Sequence, residues 1–208
     1  ALQPVARDTT EATRQMNDEI DGSAFGLEEL PYGIFSANAE GADGRRVGVA
    51  IGNSVLDLTA FFDDPVFAQP SLNAFMAQGR TRWAAVRAEL RHAVGTLGGP
   101  AQPARLTRCL VPRSEVVMHL PFEVADFVDF NSSLQHTTNA GLILRPGDDP
   151  VRGNWRRQPV GYHGRAGTVV TAGTPVRRPH GQVLRDDEPV LAATRKLDVE
   201  AEIAFVVG

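Results

Sequence analysis

Only one of the 208 residues is a cysteine, Cys109. A single thiol excludes an internal disulfide framework and fits a reducing compartment. No apolar run approaches the roughly 20 residues that span a bilayer, and no hydrophobic core of a signal peptide opens the chain. Excess positive charge is also lacking, since the formal net charge is −4. That leaves no basic field for nucleic acid and no basic amphipathic segment for a membrane surface. A soluble, cytoplasmic protein is the expectation, with neither nucleic acid nor membrane as a partner. What is present is a hydrophobic content of 42%, enough to build a core in one large domain or two small ones.

Residues 1–24 are polar and read as an arm, with Asp8 and Glu11 placed to cap a short surface helix through Ile20. Folded structure is expected to begin near Leu30, at LPYGIFS. Val47, Val49 and Ile51 alternate with small residues, Gly52-Asn53 supplies a turn, and Val55 to Leu58 returns, which predicts a hairpin. Ser71 is placed to cap a short helix carrying Leu72, Phe75 and Met76 and ended by Gly79. Thr81 is placed to cap a second, with Trp83, Val86 and Leu90 on one stripe and Gly95 at its end. Gly95 to Ala104 reads as a loop. His92, near the second helix and without a nearby acid–base partner, reads as structural or solvent-facing. Residues 30–115 therefore predict a small α+β domain with few catalytic candidates.

The chemistry is concentrated between Asp126 and Gly167 and in the C-terminal run KLDVEAEIAFVVG. In that run Leu197, Val199, Ala201, Ile203 and Phe205 alternate with Asp198, Glu200, Glu202 and Ala204. A strand there places the apolar set on one face and three carboxylates on the other. Neighbouring like charges repel, so a divalent cation gives such a row its reason. Asp129, flanked by Phe127-Val128 and Phe130, is either a ligand or a cap or turn acid. His136 is either a water-activating base or a hydrogen-bonded structural residue. Arg145 ends the apolar run GLILR and by itself reads as an ordinary surface or ion-pair arginine. In GYHGRAG, which bears Tyr162, the glycines either admit a ligand to the backbone or allow positive φ. Oxygen ligands without cysteine or paired histidine favour Ca²⁺ or Mg²⁺ over zinc and suggest metal-assisted hydrolysis.

LPYGIFS, RVGVAIGNSVLDL, DFVDFNSSLQHTTNAG, NWRRQPVGYHGRAG, TPVRRPHGQ and KLDVEAEIAFVVG together resemble the fumarylacetoacetase family, in matching order from about Leu30 onward. The resemblance implies a mostly β fold with minor α (α+β). A small Src-homology-like barrel over 25–118 would follow the arm, and 119–208 would begin a β-rich mixed sandwich or roll. It implies hydrolysis of the carbon–carbon bond of 4-fumarylacetoacetate to fumarate and acetoacetate, the last step of tyrosine and phenylalanine catabolism. It implies Asp129, Glu200 and Glu202 as metal carboxylates for Ca²⁺ or Mg²⁺, and His136 as the base activating water. Arg145 and Tyr162 become substrate-binding residues for a small diketo acid. Asp198, on the same face if the strand is regular, is expected to be a supporting acid.

Two departures from the family pattern stand out. Asn131 occupies the position (DF-Y-SS) of a substrate-contacting tyrosine. The family also continues for roughly as much chain again beyond Gly208, so a fragment or one half of a split enzyme is expected, inactive alone and paired with a complementary C-terminal chain or in a homodimer. The alternatives are a related hydrolase or decarboxylase acting on another diketo or oxo acid, and a non-catalytic partner chain.

Overall fold

A computed structural model describes residues 25–26, 28–38 and 41–208; the helix expected between Asp8 and Ile20 lies outside them. The described chain through Pro121, together with Thr171–Gly208, forms one compact unit, and Phe122–Val170 forms a second. The architecture mixes β and α: among the described residues nine strands form three sheets, beside five α-helices.

The first unit contains a five-stranded antiparallel sheet. Its strands are β1 (Tyr32–Ala37), β2 (Arg46–Ile51), β3 (Ser54–Asp57), β4 (Leu110–Pro112) and β5 (Val116–His119), in the order β4-β3-β2-β1-β5. The expected hairpin is β2–β3. Ile51 opposes Ser54 across Gly52-Asn53, and Gly52 takes a φ of 54°, which a side chain would resist. Asp57 then stops the strand and starts helix α1 (Leu58–Phe62). Its Oδ1 accepts from the Thr59 and Ala60 N–H groups at 2.9 and 3.2 Å, and its Oδ2 accepts from Arg46 Nε at 2.6 Å. The same guanidinium lies 4.6 Å above the Phe35 ring, so one arginine ties β1, β2 and the helix cap together.

Helix α2 (Asn73–Met76) leads into α3 (Gly79–Val94). Here two expected boundaries move. Gly79 opens α3 rather than closing α2, because at φ 78° it makes the sharp bend between them. Thr81 therefore sits inside the first turn of α3 and does not cap it. The expected stripe is present: Val86 and Leu90 are fully buried, with Ala93 and Val94 following, and Trp83 packs partly against them. His92 is exposed, as expected. The stripe shares one core cluster with Ile34, Val47, Val49 and Leu56 of the sheet, and α4 (Ala104–Arg108) adds Leu106. Each such side chain contributes about 1.5–3 kcal/mol, and Leu58, Phe67 and Phe75 belong to the same cluster, so the stability of this unit lies in one core shared by the sheet and its helices.

A tight hairpin, not anticipated from sequence, follows in the same unit: β8 (His180–Arg185) and β9 (Glu188–Ala193). Beyond β9, Lys196–Gly208 is not a strand, contrary to the alternating pattern, and all its residues are exposed. Alternation describes which face of a strand would be covered; the strand itself needs a ladder partner. Among the described residues none pairs with it.

The second unit is built from β6 (Val128–Phe130), helix α5 (Leu134–Leu144) and β7 (Gly161–His163). Part of the GYHGRAG run is thus a strand rather than a turn, and the bend comes after it, at Gly164 with φ 107°.

Candidate functional site

Strands β6 and β7 pair antiparallel with Asp129 directly opposite Tyr162. Directly opposed residues share a face with their Cβ atoms about 5 Å apart, so this ladder sets the carboxylate and the phenol side by side. Asp129 is therefore a half-buried strand residue, neither a helix cap nor a turn acid, and Tyr162 is 63% exposed. The strands approach closely because residue 161 is glycine. A Cβ there would come within 2.7 Å of the Asp129 carbonyl oxygen and 2.9 Å of the Phe130 ring.

Two residues after β6, Ser132-Ser133 turns the chain into α5. The Ser133 hydroxyl accepts from the His136 N–H at 3.2 Å, a side-chain cap that places His136 in the first helical turn. His136 is exposed there. Arg145 is the C-cap that follows the last residue of the same helix, so His136 and Arg145 stand at opposite ends of α5, roughly 13 Å apart along the axis. Arg145 is not a free surface cation. It is half-buried, its Nη2 donates to the Pro150 carbonyl at 3.2 Å, and its buried Nε has no partner among the described residues. An unpaired buried guanidinium N–H suits a group that awaits an anion.

The loop held by Arg145 returns against Gly141, where a Cβ would lie 2.7 Å from Pro150 Cα and closer still to its carbonyl oxygen. Sequence reading missed Gly141, Thr137 and Trp155. Trp155 Nε1 donates to the Asn131 carbonyl at 2.7 Å, and Thr137 Oγ1 donates to Asn131 Oδ1 at 2.6 Å. A glycine inside an otherwise good helix was the available signal for the first; nothing local marked the other two.

The remaining candidates lie in the exposed segment after β9. Glu200 and Glu202 are exposed, and Asp198 Oδ1 accepts from the Val199 N–H at 2.8 Å. By donor chemistry Asp129, Glu200 and Glu202 fit a hard cation. Among the described residues no three His, Cys, Asp or Glu side chains form a group able to hold a metal ion.

The sequence of the first unit decides its kinship. Residues 28–121 match the family model described as fumarylacetoacetase N-terminal. These residues belong to that family. The likeness to fumarylacetoacetases runs well beyond them. The chain is 41% identical to the fumarylacetoacetase of Homo sapiens over 202 aligned positions, covering 90% of this chain and 48% of the relative. For the Caenorhabditis elegans enzyme the identity is 40%, covering 89% and 47%, and for that of Oryza sativa 37%, covering 94% and 49%. The chain thus spans about half the length of the curated fumarylacetoacetases it matches. Among the described residues no helix is long and apolar enough to cross a membrane.

Proposed function

We propose that this chain carries the water-activating part of a fumarylacetoacetase-type hydrolase, which cleaves the carbon–carbon bond of 4-fumarylacetoacetate to fumarate and acetoacetate. The observation that carries the proposal is the identity of 34–41% to relatives named fumarylacetoacetase, extending over about nine-tenths of the chain. In this reading His136 removes a proton from water as the oxygen attacks the carbonyl of the 1,3-diketone. The bond to the central carbon breaks, its electron pair stays with the acetoacetate fragment, and that carbon takes up a proton. Arg145, whose buried Nε has no partner among the described residues, pairs with a substrate carboxylate. Tyr162 donates its hydroxyl. Asp129, Glu200 and Glu202 would hold a divalent cation, Ca²⁺ or Mg²⁺. Such a cation supplies positive charge for the oxygens of the diketone. The five-stranded sheet is read as a Src-homology-like barrel, followed by the beginning of a mixed β sandwich or roll. A homodimer or a complementary chain completing the site in the cytoplasm is part of the same proposal.

The test is cleavage of fumarylacetoacetate by the polypeptide in the form the cell makes it, with any companion chain, with and without added Ca²⁺ or Mg²⁺. Turnover that needs the cation and is lost in His136→Ala is expected; wild-type protein with no turnover sinks the proposal. Asn131, in place of the pattern's tyrosine, favours one alternative, a related hydrolase of another diketo acid. Faster turnover of a simple acylpyruvate than of fumarylacetoacetate would select it.

A further inference from the structure

Asn131 is tied down at three points. Its N–H donates to the Val160 carbonyl at 2.8 Å, which extends the β6–β7 ladder by one bond. Its carbonyl accepts from Trp155 Nε1, and its side-chain oxygen accepts from Thr137 Oγ1. Thr137 is one of only three buried polar or charged side chains among the described residues, 7% exposed. It sits in the first turn of α5, immediately after His136. Ser133 fixes where that helix starts, but an end cap alone leaves the helix free to roll about its axis. The Asn131–Thr137 bond removes that freedom. Threonine is β-branched and stiff at χ1, so holding its hydroxyl inward sets the azimuth of the turn. Successive helical residues are about 100° apart, and the direction of His136 then follows.

We propose that Asn131 and Thr137 form a positioning pair for His136, linking the histidine's direction to the strand that bears Asp129. This rests on the reading of His136 as the base. It assigns Asn131 a role different from that of a substrate-contacting tyrosine: its carboxamide oxygen faces into the protein's own framework. Removing either partner leaves a buried polar group unpaired and frees the first turn of α5 to roll.

The experiment is a double-mutant cycle on the complete enzyme, with Asn131→Ala and Thr137→Val, and Thr137→Ser as the conservative variant. Each single change is expected to lower kcat about tenfold or more with KM within about twofold, because a displaced catalytic group costs rate rather than binding. The double variant should be no worse than either single, and Thr137→Ser should retain most of the rate. Additive losses, or a Thr137→Val enzyme with wild-type kcat, overturn the pair. Backbone hydrogen exchange at 134–138 is read on the same proteins. Thr137→Val should speed it about tenfold and Thr137→Ser should not; unchanged protection likewise overturns the pair. If the wild-type protein turns over no diketo acid, the function reading fails while the exchange data still decide the pairing.

Discussion

Replacing Gly141 by alanine should destabilise the second unit, although the same exchange within an unobstructed helix stabilises by about 0.8–1.0 kcal/mol. The new methyl would lie 2.7 Å from Pro150 Cα and 2.8 Å from its carbonyl carbon, where ordinary contact begins at 3.4 Å. The Pro150 carbonyl oxygen would lie closer still, so the backbone there must retreat by about 1 Å. It is poorly free to do so. Its carbonyl accepts from Arg145, and the next residue, Val151, is buried with its N–H held by Asp149 Oδ1 at 3.0 Å. Overpacking of this kind costs about 1–3 kcal/mol, and the Arg145 hydrogen bond is worth about 1 kcal/mol more if lost. Against the propensity gain, the net loss should be about 1–2 kcal/mol. The chain has two tryptophans, Trp83 and Trp155, so in a Trp83→Phe background urea unfolding followed by Trp155 fluorescence reports on the second unit alone. Gly153, where an added methyl would meet no atom within 4 Å, is the control, and Gly153→Ala should change stability by less than about 0.5 kcal/mol. A Gly141→Ala protein as stable as the parent, or more so, would refute the close approach of Pro150 and with it the account of how Arg145 is held.

Three further outcomes are expected. Asp57→Ala should cost about 2–4 kcal/mol in denaturant unfolding, since it uncaps α1 and strands Arg46, whereas Asp57→Asn keeps an oxygen for the cap and should cost less. Burial, and then the charge of Arg45, hold the His119 imidazole below its ordinary value of 6.5. The folded state thus binds fewer protons than the unfolded one below that pH, so this contribution to stability is full above 6.5 and falls away as the pH drops toward the lowered value. His119→Gln should flatten the acid side of the stability profile. Burial raises the Cys109 thiol above its ordinary value, and the residue is 5% exposed; at neutral pH a thiol reagent should modify it only as fast as the protein opens, and instantaneous labelling would contradict its burial.

The β2–β3 hairpin and the α3 stripe were legible because periodicity and turn chemistry agree there: Gly52 is needed at positive φ, and Val86 and Leu90 recur at helical spacing. The β8–β9 hairpin was not, because its two-residue turn is Asp186-Asp187, both at positive φ (51° and 66°), where glycine or asparagine is the usual signal. The C-terminal alternation shows the converse failure. Pattern alone named a strand at Lys196–Gly208, and among the described residues that segment has no ladder to join. At the candidate site the ionisable residues drew attention through their chemistry, and Asp129 and Tyr162 do meet across a ladder. What the sequence concealed were the residues that place them, since Thr137 and Gly141 act through one hydroxyl and one missing methyl.

The order of strands in the first unit has a consequence for the nascent chain. β1 lies between β2, which follows it closely, and β5, whose His119 bonds to Ser36 at a separation of 83 residues. Synthesis proceeds at roughly 5–20 residues per second, so after β1 has left the ribosome one of its edges waits about 4–16 s for its neighbour. During that interval the hairpin partner β2 is on hand and α3 has time to join the core, while the edge that will receive Val116–His119 stays open to other chains. Slower elongation before residue 116 lengthens that exposure, and the yield of correctly folded protein should fall with it.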